Sequence, residues 1–167
     1  MLEKYNYTET EQKELLSSIV ILVDSREQKN KHILDYFDKH KILYKIKALP
    51  FADYSFYVPT NDNLTIPRDL YFNGEIVIER KHSLEELSGN FCKGRTRFEE
   101  ELATCPAKIK YLLIENANYQ DVVNGKYDTE YNSKSFLGTL HSFNHKYNLQ
   151  IMFLPDDNYS AIYIYGV

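Results

Sequence analysis

Long apolar runs are missing from this 167-residue chain. No stretch approaches the roughly 20 residues that cross a bilayer, which excludes a helical membrane protein. The opening MLEKYNYTETEQ is polar and carries acids, unlike a secretory or transit leader, so a soluble intracellular protein is expected. Cysteine is scarce too. Cys92 and Cys105 have neither CxxC nor Cys/His metal spacing, which excludes a disulfide framework and a cysteine zinc site and leaves reduced thiols. A basic surplus is also absent: 20 basic against 24 acidic residues give a formal charge of -4. There is no global footprint for a polyanion, and any such partner must be met by a local patch. Internal repeats, low-complexity tracts and interdomain linkers are lacking as well.

What is present is a core. At 43% hydrophobic and 14% aromatic residues the chain can bury one full interior. The expected layout is a short extension over residues 1–17, with Thr8 and Glu11 at capping-box spacing, followed by one domain over 18–167. SIVILVD (18–24) reads as a buried strand ending in an acid. QKNKHILDYFDKHK (28–41) has Ile33, Leu34 and Phe37 on one helical face, and ILYKIKAL (42–49) alternates as a strand. DYSFYVP (53–59) and GEIVIER (74–80) bracket a Pro- and Asn-bearing stretch and read as a hairpin with a long loop. A short helix from Ser83 to Leu87, a loop through Gly89 and Gly94, and a helix over 96–104 follow. KIKYLLIE (108–115) is another strand ending in an acid, SKSFLGTLHSFNHKYN (133–148) a helix, and LQIMFLP (149–155) the last strand. Alternating elements of this kind make an α/β architecture on a mixed sheet.

Charged residues stand where strands end. Asp24 closes one strand, Asp53 opens another, and Glu79, Arg80 and Lys81 close a third. Side chains alternate along a strand, so Glu79 and Lys81 share a face and Arg80 takes the other. Separated acids followed by Glu-x-Lys suit metal-assisted phosphodiester hydrolysis: Mg²⁺ (or Mn²⁺) is held by one or two carboxylates plus substrate phosphate, and an adjacent lysine positions or deprotonates the attacking water. Asp24, Asp53 and Glu79 are the candidate ligands, with Glu27 nearby in support. Taken alone, Asp24 and Asp53 also fit turn or capping acids, and Arg80 fits an ion pair as well as a phosphate contact. Lys93, Arg95 and Arg97 form a compact basic cluster that suits a DNA backbone, although acids at 99–101 also fit an ordinary solvated helix face. His82 reads as a surface residue. Tyr54 and Tyr57 fit core positions or stacking on unpaired bases.

VDSRE (23–27), FADYSF (51–56), VIERKHSLEEL (77–87), GNFCKGRTRFEEEL (89–102) and YLLIE (111–115) occur in the order and approximate spacing of the XPF-type nuclease domain, which the chain resembles over about residues 19–154. The resemblance implies a restriction-endonuclease-like fold, a mixed central sheet flanked by helices, and divalent-metal cleavage of branched, flapped or junction-containing DNA. It makes Asp24, Asp53 and Glu79 the metal-binding acids and Lys81 the catalytic lysine. Arg80 joins them in the catalytic set, while Arg26, Glu27 and Arg95 become supporting polar residues; Arg26, Lys93, Arg95 and Arg97 are the candidate DNA contacts. Two departures stand out: the family's Gly-Asp is Ala52-Asp53 here, and its aspartate four positions beyond the lysine is Glu85. A catalytically silent DNA-binding or scaffolding partner and a restriction-type enzyme are the competing readings of the same fold. Family members commonly carry a helix-hairpin-helix module beyond this domain, so weak, salt-sensitive DNA binding is expected, with the protein wherever the DNA is. Pairing as a homodimer or heterodimer is expected through the apolar C-terminal SAIYIYGV.

Overall fold

The computed structural model describes residues 6–167; residues 1–5 of the expected extension lie outside them. The capping box forms as its spacing predicts, with Thr8 and Glu11 opening helix α1 (Glu9–Ser18). Leu15 and Ile19 pack against Val58, Leu64 and Ile66, so this segment covers one end of the sheet.

Strand β1 (Val20–Asp24) is buried at every position, as a run of β-branched and leucine residues suits an interior strand. Helix α2 (Lys31–His40) buries Ile33 and Phe37 and stops at Lys41 in the left-handed region. The remaining strands are β2 (Tyr44–Lys47), β3 (Tyr54–Val58), β4 (Leu70–Tyr71), β5 (Ile76–Lys81), β6 (Ile109–Glu115) and β7 (Leu149–Leu154). They form one mixed sheet in the order β2-β1-β3-β5-β6-β7, with β4 on β3. β3 is antiparallel to β1 and β5, whereas β1/β2, β5/β6 and β6/β7 are parallel. This pattern brings the start of β3 to the same edge as the ends of β1, β5 and β6.

Helices α3 (Leu84–Phe91), α4 (Arg95–Thr104), α5 (Tyr119–Val123) and α6 (Ser133–Tyr147) cover one face, where Phe91, Phe98, Phe136 and Phe143 meet Leu112 and Ile114. α2 and α7 (Ser160–Gly166) cover the other, against Tyr54, Ile78 and Leu113. α3 runs through Gly89 to Phe91, beyond the expected stop at Leu87, because Leu84, Leu87, Ser88 and Phe91 make a continuous buried stripe. α5, capped by Asn118, was not expected. The apolar C-terminal segment is a helix that buries Ala161 and Ile164 in its own sheet and leaves Ile162 and Tyr165 exposed. Among the described residues no helix is long and apolar enough to cross a membrane.

Candidate active site at the sheet edge

Asp24, Asp53, Glu79 and Lys81 line one cleft of about 390 Å³, with Arg26, Asn90, Arg97 and Glu101 around it. Each acid reaches it by main-chain geometry. Asp24 N–H donates to the Asp53 carbonyl at 2.8 Å, and Asp53 N–H donates to Ile78 O at 3.1 Å, which ties three strands together at the edge. The Asp53 carboxylate then accepts from the Arg80 backbone N–H at 2.7 Å.

Ala52 sits at φ 57, in the left-handed region. A Cβ there is strained by about 1–2 kcal/mol, which glycine avoids. Ala52→Gly is therefore expected to stabilise the fold by about 1 kcal/mol, read from urea midpoints at constant m-value.

The electrostatics favour protons or cations in the cleft. Burial pushes Asp53 up to about 7, helped by the charge of Glu27, whose carboxyl also shares a hydrogen bond with it. Burial pushes Glu79 up to about 7 against the pull of the Lys81 ammonium, 2.6 Å from Oε1. Burial alone would lower Lys81, but the Glu79 carboxylate outweighs it and holds the lysine above its ordinary value. Asp24 behaves oppositely. Burial raises it, yet hydrogen bonds from the Arg26 side chain and from the Arg26 and Leu49 N–H groups hold it below the usual range. Asn90 Oδ1 is buried with no hydrogen-bond partner among the described residues, although its side chain lines the cleft.

Because Asp53 and Glu79 ionise near 7 when folded, the native state keeps protons that the unfolded chain has lost at lower pH. Their contribution therefore destabilises progressively as pH rises from about 4 to about 7 and levels off above. Without metal, melting temperature should fall between about pH 4 and 7, and Glu79→Gln should remove roughly half of that slope in thermal melts with chelator.

Arg80 points to the opposite face. Only 4% exposed, it donates to Glu115 at 2.6 Å, to Gln28 O at 2.8 Å and to Glu27, which also accepts from Nε at 2.7 Å. Arg26 lies at the cleft mouth on Asp24 and Leu49 O, both at 2.7 Å, with its side chain 66% exposed. Arg97 projects along the rim and pairs with Glu101. Arg95 turns towards α6, over the Phe143 ring and near Thr139. Lys93 is exposed in the turn between α3 and α4. Glu85 accepts from the Asp128 N–H at 2.9 Å and does not line the cleft. His82 pairs with Glu86. Tyr54 is fully buried and closed to base stacking, and Tyr57 stacks on Tyr71. Asn90 and the Glu27–Asp53 bridge went unread in the sequence, since an asparagine inside a helix and a contact across the sheet edge carry no periodic signal.

The ERCC4 domain profile matches residues 23–167. This chain belongs to the ERCC4 domain family. Among solved structures, XPF from Aeropyrum pernix matches with TM-score 0.62 at 16% identity, over 88% of this chain and 62% of that one. The same protein in complex with DNA matches with TM-score 0.63 at 18% identity and the same coverages. The ERCC4 domain thus has the XPF nuclease fold and spans less than two thirds of the length of those chains. A search of curated protein sequences finds no match.

Proposed function

We propose that this ERCC4 domain is a divalent-metal-dependent endonuclease that hydrolyses phosphodiester bonds in branched, flapped or junction-containing DNA. The observation that carries the reading is the convergence of Asp24, Asp53, Glu79 and Lys81 from three strands on one cleft. The donor set fits a hard cation: its acids are oxygen ligands, and burial holds two of them protonated up to about 7, where a bound cation would favour their charged form. Asp24, Asp53 and Glu79 would hold Mg²⁺ or Mn²⁺, which when bound supplies Lewis acidity at the scissile phosphate and makes water a better nucleophile.

Lys81, kept charged by Glu79, donates hydrogen bonds: it orients the attacking water and offsets charge on the phosphate rather than removing a proton. Arg26 and Arg97, at the mouth and rim, contact DNA phosphates, with Lys93 beyond them. Arg80 and Glu27 act as positioning residues, since Arg80 holds Asp53 through its backbone N–H and Glu27 through its guanidinium. Self-association belongs to the same proposal, with exposed Ile162 and Tyr165 on α7 at the pairing surface; light scattering should give a dimer mass that falls to the monomer on Ile162→Glu.

The test is cleavage of a panel of junction, flap, single-stranded and plain duplex DNAs with Mg²⁺. Selective cutting of the branched substrates supports the proposal. Cutting of one plain duplex sequence favours a restriction-type enzyme, and no cutting of any favours a silent DNA-binding partner.

A further inference from the structure

Behind the cleft, on the face of the sheet that carries Arg80, the end of β6 presents Glu115. Its carboxylate is 1% exposed; Oε2 accepts from Arg80 at 2.6 Å, and Oε1 lies 2.9 Å from His32 Nε2 at the start of α2. Asp157, in the turn before α7, completes the group, and one ligand atom from each of the three lies within 4.8 Å of the others. The single positive charge of Arg80 is already divided between Glu27 and Glu115. Asp157 adds a negative charge that no lysine or arginine answers among the described residues.

The geometry points to a second divalent-cation site at His32, Glu115 and Asp157, distinct from the cleft and selective for a borderline transition ion of the Zn²⁺ or Co²⁺ class. An imidazole nitrogen beside two carboxylates is a mixed donor set that suits such ions better than Mg²⁺, which prefers all-oxygen ligands. The ion takes the place of the proton between His32 Nε2 and Glu115 Oε1 and supplies the charge that Asp157 lacks. Arg80, bonded to the other oxygen of Glu115, is the outer partner that fixes that ligand. The three ligands come from α2, β6 and the turn into α7, so a bound ion staples the C-terminal helix to the sheet. The role is structural and requires neither DNA nor cleavage.

The experiment is a Co²⁺ titration, followed by visible absorption and thermal melting, of the full chain carrying Asp24→Asn and Glu79→Gln to disable the cleft. The expected result is saturation at one equivalent with a raised melting temperature. His32→Ala and, separately, Asp157→Asn in that background should each weaken Co²⁺ binding by at least ~10-fold, the lower end of losses at metal sites, and remove the thermal shift. The half-buried Asp157, in the turn before α7, keeps the test open should His32→Ala fold poorly. Unchanged Co²⁺ affinity in both variants, including binding carried by Cys92, or no binding by the background protein, overturns the inference.

Discussion

Lys81→Ala is expected to cut the rate of DNA hydrolysis by roughly 10²-fold or more while leaving the chain folded, the scale of losing a positioned proton-handling or water-orienting group. The side chain is 7% exposed, its ammonium is 2.6 Å from Glu79, and it lies over the Phe98 ring. Removing it would strand a buried carboxylate in most proteins. Here Glu79 already titrates at about 7 and can take up a proton instead, so the fold survives. The same protonation weakens Glu79 as a ligand, and more Mg²⁺ will be needed for half-maximal activity. Raising Mg²⁺ should recover that part and leave the 10²-fold deficit. A variant that cuts like its parent at saturating Mg²⁺ removes Lys81 from the chemistry.

Arg80→Ala should act through stability. Its guanidinium lies between Glu27 and Glu115, whose side chains are 9% and 1% exposed. Deleting one partner of such a buried set leaves uncompensated charge and costs about 3–5 kcal/mol. For a domain of this size that lowers the melting temperature by about 10 °C or more. The loss should be smaller at low pH, where Glu27, raised chiefly by burial, takes up a proton. Normal melting with abolished cleavage would instead make Arg80 a contact to DNA.

The sequence made the sidedness of Glu79, Arg80 and Lys81 legible because alternation has a period of two: Glu79 and Lys81 had to share a face, and Arg80 had to leave it. It could not separate Arg95 from Arg97. Both belong to one basic cluster in sequence, but two residues on a helix are about 200° apart, so Arg97 follows the rim while Arg95 meets Phe143. The Arg80 network was illegible for another reason. Its contacts join residues 53 and 35 positions apart and exist only once the sheet has assembled, while the His32–Glu115 contact spans 83 and needs α2 docked on that sheet. The C-terminal helix shows the limit of composition alone: one face of SAIYIYGV is answered by the protein's own core, which no apolar count foretells. Ala52 likewise looks like a small change from glycine until its backbone places it in the left-handed region.

The most direct test of the central claim is the initial rate of flap-DNA cleavage, measured against Mg²⁺ from chelated to saturating, for the parent and Asp53→Asn. The parent should be silent in chelator and rise to a plateau with Mg²⁺, while Asp53→Asn stays at least ~10²-fold below it at every concentration. Cleavage by the parent in chelator, or equal curves for the two proteins, contradicts the assignment of these acids to a metal.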